Sequence, residues 1–290
     1  MDDILTIFST PRPFKGPFDL IQRNAIESWI KTCPGCKIIL FEDEEKTTCK
    51  VAEELGVRCI TSVERDEFGT PLLNDVYKKA REAAGSKLIV HINTDIILTD
   101  SFLKAVIQVL DIMNGKPFFM SGRRWDLDVN SQIDFSKTDW QKEIIELAGN
   151  NGDLHSLSGM DYWILPADPP FEILPFIIGR PGMDSWLVYK SREIRIPFID
   201  STAAVNVIHQ NHNYPQKKNH FFKIEKERNL KLSGGLINVM TLREADFILT
   251  KTGLEEPEFP RIIFAKLALF YPWRLLLFIK RAVSYSSAYK

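Results

Sequence analysis

The chain has 290 residues, 44% of them hydrophobic, with 37 basic against 38 acidic side chains and a formal net charge of −1. That is apolar material for a full core, as one large domain or a domain with an appendage, and it excludes the disordered and fibrous classes. The balanced charge also excludes an overall electrostatic footprint for nucleic acid, so no nucleic-acid partner is expected. The opening "MDDILTIFST" has neither a basic leader nor a long apolar run. No secretory signal is read there, and the default compartment is the cytosol.

In chain order, the first half alternates short apolar strands with helical patterns. A strand in "ILTIFS" precedes a helix over "DLIQRNAIESWIKTC"; "KIILFE" precedes a short helix over "TCKVAEELG"; "RCIT" precedes a helix over "PLLNDVYKKAREAAG"; then comes the strand "KLIVHIN". In the first helix Leu20, Ile21, Ala25, Ile26, Trp29 and Ile30 recur at helical spacing and make one apolar face. Such alternation implies a mostly parallel sheet covered on both sides, with ligands at the carboxyl ends of the strands. Ser9–Arg12, Glu42–Asp43 and Asn93–Asp95 each follow a strand and are expected along one rim. "CPGC" has the spacing of a metal or redox pair. However, Cys49 and Cys59 form no second close pair, no histidine is near, and a strand follows Cys36, so all four cysteines are read as reduced turn residues.

Asp95, in "HINTDIIL", is the first residue to ask for chemistry. A buried carboxylate is costly unless it is paired, hydrogen-bonded or on a metal. The helix that follows, "TDSFLKAVIQVL", has its own cap candidates in Thr99, Asp100 and Ser101, which leaves Asp95 for other work. A strand-end aspartate can hold a divalent cation whose other ligands are waters and substrate phosphates.

After "PFFMSGRRWDLD" the alternation gives way to polar stretches and short strands around "SGMDYWILP" and "RIPFIDST", an α+β second half suited to acceptor recognition. In "GRPGMDSWLVYK" a glycine turn leads into Asp184 and an apolar helical pattern through Trp186, Leu187 and Tyr189. A carboxylate there can be N-cap, general base or both. In "FIDSTAAVNVIHQNHNYP", His209 and His212 are core or surface residues, or ligands returning to a metal pocket. From 259 to 290 there are six basic residues and no acidic one. Lys266, Arg274, Lys280 and Arg281 share one side of a helical wheel, with Phe264, Leu267, Ala268, Tyr271, Leu275, Phe278 and Ile279 largely opposite and a kink expected at Pro272. Charges interrupt this stretch too often for a spanning helix; it reads as a core-docked helix or as an amphipathic one on an anionic membrane.

Taken together, "GTPLLN", "GRRWDLD", "GRPGMDSWL" and "IHQNHNY" resemble the GT-A fold nucleotide-sugar glycosyltransferases, in particular bacterial and viral glycosyltransferase-like proteins with an NTD version of the DXD motif. The resemblance covers residues 4–215. It implies an α/β, Rossmann-like, mostly parallel sheet flanked by helices. The expected organisation is a 1–258 catalytic domain, with 1–125 binding the nucleotide sugar and 126–258 on the acceptor side, followed by the 259–290 tail. It also implies a divalent cation, Mn2+ or Mg2+, and a nucleotide-diphosphate sugar donor. Asn93 stands where the motif has its first acid, leaving Asp95 as the metal ligand, with His209 or His212 completing the site.

By the same resemblance Asp184 takes the position of the general base of inverting members, ionised with an ordinary carboxylate pKa. Thr10, Arg12 and Glu42 or Asp43 would face the donor's base and ribose, and Asn74 opens the helix before the NTD strand. Arg123 and Arg124 would clamp a phosphate, while Asp161 and Trp186 would hold the donor sugar or the acceptor. The implied activity is metal-assisted, inverting transfer of a hexosyl or deoxyhexosyl group to a hydroxyl of a glycan or lipid-linked acceptor, in the cytoplasm or at the inner face of the membrane. The competing readings are a sugar-1-phosphate nucleotidyltransferase and a non-catalytic glycan-binding or membrane adaptor protein.

Overall fold

The computed structural model describes residues 4–213, 220–270, 272 and 274–279. Its centre is built from the apolar runs β1 (Leu5–Ser9), β2 (Lys37–Phe41) and β4 (Leu88–Ile92), with β3 (Arg58–Ile60) outside β2, all parallel in the order β3-β2-β1-β4. Every residue of β1 and β4 is buried, as strands covered on both faces require. The crossovers are α1 (Pro17–Thr32), α2 (Thr48–Leu55) and α3 (Leu73–Ala84). α1 starts on a proline, whose missing N–H costs nothing at that position, and buries Ile21, Ala25, Ile26 and Trp29, the expected face. It packs on one side of the sheet with Ile7, Leu40 and Val90, while Val76, Tyr77 and Ala80 of α3 pack on the other with Phe8, Ile39 and Ile89.

The second half continues the same sheet. After β5 (Ile96–Ile97) and α4 (Asp100–Met113) come β6 (Phe119–Ser121), β7 (Trp125–Leu127), α5 (Trp140–Asn151), β8 (Asp153–Leu154) and β9 (Tyr162–Pro166). Then follow α6 (Met183–Glu193), β10 (Phe198–Asp200), β11 (Ile208–Gln210), α7 (His220–Leu232), β12 (Phe247–Leu249), β13 (Leu254–Glu255) and α8 (Arg261–Leu267). β9 is inserted antiparallel between β4 and β6; β6, β10 and β12 are parallel, and β13 closes the edge. The result is a mostly parallel nine-stranded sheet flanked by helices. A second sheet, β5-β11-β7-β8, sits where the chain leaves β4, over a small core of Ile97, Leu127, Trp140, Ile144 and Ile208.

One expectation changes. Cys49 of α2 and Cys59 of β3 are not reduced turn residues but a disulfide, with Cα atoms 5.2 Å apart. Gly56, in the left-handed region at φ 70°, reverses the chain so that β3 runs back past the helix. Of the two readings of the tail, its first part, α8, follows the core-docked one. Ala265 and Ala268 are buried, and Arg261 pairs at 2.8 Å with the buried carboxylate of Asp200. Phe264 and Leu267, assigned to the apolar side, are half-buried against the body, whereas Phe259, Ile263, Leu269, Phe270, Leu275, Leu276 and Ile279 are exposed. α8 ends at Leu267 and residues 274–279 are again helical, so the break falls just ahead of Pro272. Tyr271, Lys280 and Arg281 lie outside the described residues. Among the described residues, no helix is long and apolar enough to cross a membrane.

Candidate active site

The rim forms because β1 and β4 end side by side. Ser9 Oγ donates to Ile92 O (2.5 Å) and meets Thr94 Oγ1 (2.7 Å), so the chain turns at 93–95 instead of extending the strand. Trp29 Nε1 donates to Ile96 O (2.8 Å), and the backbone N–H of Gln210 donates to Asp95 O (3.1 Å). These contacts fix Asp95 from both sides.

β11 pairs antiparallel with β5, bringing His209 opposite Ile96. Asp95 Oδ2 then lies 3.0 Å from His212 Nε2 and 3.6 Å from His209 Nε2. Where the sequence offered one histidine or the other, the fold brings both, and ligand atoms from Asp95, His209 and His212 all lie within 4.8 Å of one another. Asp95 Oδ1 is buried and accepts no hydrogen bond among the described residues, which costs free energy unless a positive centre completes it. Burial alone would raise the Asp95 pKa; hydrogen bonds and charge from His209 and His212 outweigh it and hold the carboxyl well below the usual range. At His209 burial pulls downward, but Asp95 outweighs it and raises the pKa. One carboxylate with two imidazoles is a donor set that fits a divalent cation.

Sequence reasoning missed Asp126. On β7 it is the register partner of His209 on β11, with Oδ1 at 3.1 Å from His209 Nδ1 and Oδ2 at 2.5 Å from His155 Nδ1. Asp126 thus sets a negative charge directly behind the His209 ring, the place from which a carboxylate favours one orientation of a metal-binding imidazole. Asp126 stands in the "GRRWDLD" stretch, but only the strand pairing tells which of its acids faces His209. Arg124 Nε donates to Asp126 Oδ1 (2.8 Å) and its terminal nitrogen to Asp161 Oδ2, linking the histidine side of the site to Asp161. Asn93, expected to face the donor, instead donates through Nδ2 to Asp161 Oδ1 (2.6 Å) and through its backbone to Asp161 O (2.9 Å). An acid there would repel Asp161; an amide holds it.

Asp184 lies in the first turn of α6, after Gly182. Burial pushes its carboxyl up to about 6, opposed by its own backbone N–H and reinforced by the charge of Asp161. The expectation of an ordinary pKa is therefore corrected. The group remains largely ionised at neutral pH while holding a proton far better than a surface aspartate, which suits a general base.

The other expected residues divide. Thr10 follows β1 half-buried, and Arg12 stacks its guanidinium 4.8 Å over Phe18, whose ring lies 5.1 Å from His212, so both sit at the rim. Glu42 and Asp43 end β2 but serve as caps of α2. Glu42 Oε1 accepts from Thr48 N (3.0 Å), and both Asp43 oxygens accept backbone N–H groups at Glu45, Thr47 and Thr48, because the first turn of a helix has donors without intrahelical partners. Asn74 lines a cleft of about 230 Å³ with Tyr77, Lys78, Arg81 and Phe171, sharing no lining residue with the Asp95 group. Arg123, expected as a phosphate clamp, donates from its guanidinium to the carbonyls of Leu154 (3.1 Å) and His155. Trp186, expected to hold the donor sugar or the acceptor, is buried with Phe171 and Phe176, 5.9 and 5.2 Å away between ring centroids.

No protein-family model and no curated protein matches the chain. Among solved structures it is similar to S. aureus TarS residues 1–349 in complex with UDP-GlcNAc, at 13% identity and a TM-score of 0.50. That match covers 79% of this chain and 65% of the other, so the chain spans less than two thirds of its length. It is also similar to glucosyl-3-phosphoglycerate synthase from Mycobacterium tuberculosis, solved with Mn2+, UDP and phosphoglyceric acid, at 12% identity and a TM-score of 0.46, covering 80% of this chain and 79% of that one. The sheet order and the likeness to TarS define the fold as GT-A, that of nucleotide-sugar glycosyltransferases.

Proposed function

We propose that the protein is a glycosyltransferase that moves a hexosyl or deoxyhexosyl group from a nucleotide-diphosphate donor to a hydroxyl of a glycan or lipid-linked acceptor, with inversion. The observation that carries this reading is one connected set of side chains at the carboxyl rim of a GT-A sheet. The metal-competent group Asp95, His209 and His212 is joined through Asp126, Arg124 and Asp161 to the environment of Asp184. Asp95 and both histidines would hold a divalent cation, which when bound supplies charge neutralisation for the departing diphosphate. Asp184 takes the proton from the acceptor hydroxyl as its oxygen bonds to the anomeric carbon and the bond to the diphosphate breaks. Asp126 orients His209, and Arg124 with Asn93 holds Asp161, whose charge keeps the proton affinity of Asp184 high. Residues 1–125 then form the donor side and 126–258 the acceptor side. The exposed apolar residues Phe259, Phe270, Leu275, Leu276 and Ile279 support a peripheral seat on an anionic membrane, the face that would present a lipid-linked acceptor.

The nucleotidyltransferase alternative needs a glycine-rich loop after β1, and here that segment carries Pro11, Pro13 and Pro17. The test is a panel of nucleotide sugars with and without Mn2+, with and without glycan acceptors. Metal-stimulated release of nucleoside diphosphate is the expected outcome. Pyrophosphate-dependent exchange would instead mean nucleotidyl transfer, and silence across the panel a non-catalytic binding protein. Asp95→Asn is expected to lower release by at least about tenfold in a folded protein.

A further inference from the structure

α7 inverts the pattern of an ordinary surface helix. The residues it buries are Glu225 and Asn229, one turn apart on the same face, while Phe221 and Ile224 are exposed. A carboxylate and an amide are expensive to bury unless they hold something.

Both hold the same turn, residues 177–182, which launches α6 and carries Asp184 into place. Asn229 Oδ1 accepts from Ile177 N (2.8 Å), and its Nδ2 donates to Ile177 O (2.9 Å) and to Arg180 O (3.3 Å). Glu225 Oε2 accepts from Arg180 Nε (2.7 Å), and Oε1 accepts from Thr70 Oγ1 (2.6 Å) in the loop that leads to α3. Arg180 also lies 4.8 Å over the ring of Phe222. At Gly182, with φ at 122°, a Cβ would meet Asn229 O at 3.3 Å and its Cβ at 3.4 Å, so the turn rests directly on the helix. Gly182 is the cap of α6, two residues before Asp184.

We propose that α7 is a clamp that positions the general base: Glu225 and Asn229 fix the 177–182 turn and so set where Asp184 meets the acceptor hydroxyl. The proposal rests on the reading of Asp184 as base. Both are positioning residues and act only through the turn. A charge is needed at 225 because a neutral side chain would leave the guanidinium of Arg180, a side chain only 13% exposed, without its counter-charge. An amide is needed at 229 because one side chain must accept from and donate to backbone at once.

The test uses the full chain carrying Glu225→Gln, Glu225→Asp or Asn229→Ser, with two measurements on each. The first is amide hydrogen exchange over 177–184 in the unliganded protein. Glu225→Gln and Asn229→Ser are expected to speed it about tenfold or more, while β1 and β4 stay protected. The second is steady-state transfer: kcat falls about tenfold or more with donor KM nearly unchanged, and Glu225→Asp recovers part of the loss. Unchanged exchange overturns the clamp, whether or not transfer is seen. So does a kcat loss that only tracks the folded fraction, or a rise in donor KM at constant kcat. Absence of transfer in the unaltered chain would instead sink the reading of Asp184 as base, and the exchange measurement would still decide whether α7 holds the turn. If Glu225→Gln does not fold, Asn229→Ser carries both measurements.

Discussion

Asp184→Asn should abolish transfer and, at neutral pH, make the protein more stable. Burial and the neighbouring Asp161 raise the carboxyl from the ordinary 3.8 to about 6. At about 1.4 kcal/mol per tenfold change in proton affinity, ionising it in the folded protein costs up to about 3 kcal/mol. Asp184 is half-buried and keeps some water, so roughly 1–2 kcal/mol is the realistic magnitude. The sign follows from proton binding. Between pH 4 and 6 the folded chain holds a proton that the unfolded chain has released, so stability falls as pH rises through this window, and the full cost is present above about pH 6. Asparagine has nearly the same shape and nothing to ionise. The variant should therefore match the parent near pH 3.5 and exceed it at pH 7.5 by roughly 1–2 kcal/mol, at about 2–4 °C of melting temperature per kcal/mol. Thermal melts across pH 3.5–8, paired with transfer assays and donor binding by calorimetry, read this out, with donor affinity preserved. Transfer by the parent should fall as pH drops through about 6, where Asp184 takes up its proton. A variant that is no more stable at pH 7.5, or one that still transfers sugar, would refute the reasoning.

Asp126→Asn should weaken Mn2+ binding by about 10- to 100-fold with the fold intact, measured by titration calorimetry without donor, because His209 loses the carboxylate that orients it. Leu276→Glu together with Ile279→Glu should abolish sedimentation with vesicles of anionic lipid and leave transfer to a soluble acceptor unchanged; equal sedimentation of parent and variant would remove the membrane assignment. These exposed positions are preferable to truncation before α8, which would strip Arg261 from the buried Asp200. Thiol titration of denatured, unreduced protein should find two thiols, at Cys33 and Cys36, with Cys49 and Cys59 paired. Four thiols would mean that the chain works reduced, as a cytoplasmic location requires.

The alternation of strands and helices up to α4, the apolar face of α1 and the rim position of Asp95 were all readable in the sequence. Periodicity is a property of neighbours along the chain, and a continuous run such as "LIVHI" is buried wherever its partners lie. α7 escaped because its burial is not written as an apolar stripe: it buries a glutamate and an asparagine.

Which partners the individual site residues meet has a different physical origin. Arg123 and Arg124 are adjacent and chemically equal, yet one meets the carbonyls of 154 and 155 and the other lies between Asp126 and Asp161. Glu42 and Asp43 were placed at a strand end correctly, but the unpartnered N–H groups of α2 engage them first. Trp186 shares its short helix with Asp184 and turns the other way, into the core. Sequence by itself determined which segments would form the sheet and that a strand-end carboxylate would stand at its rim, because burial and periodicity are local. Which side chains meet there was decided by the register of β11 between β5 and β7, which joins His209 to Asp95 and Asp126 across more than eighty residues of chain; such pairings are set by strand register, not by local pattern.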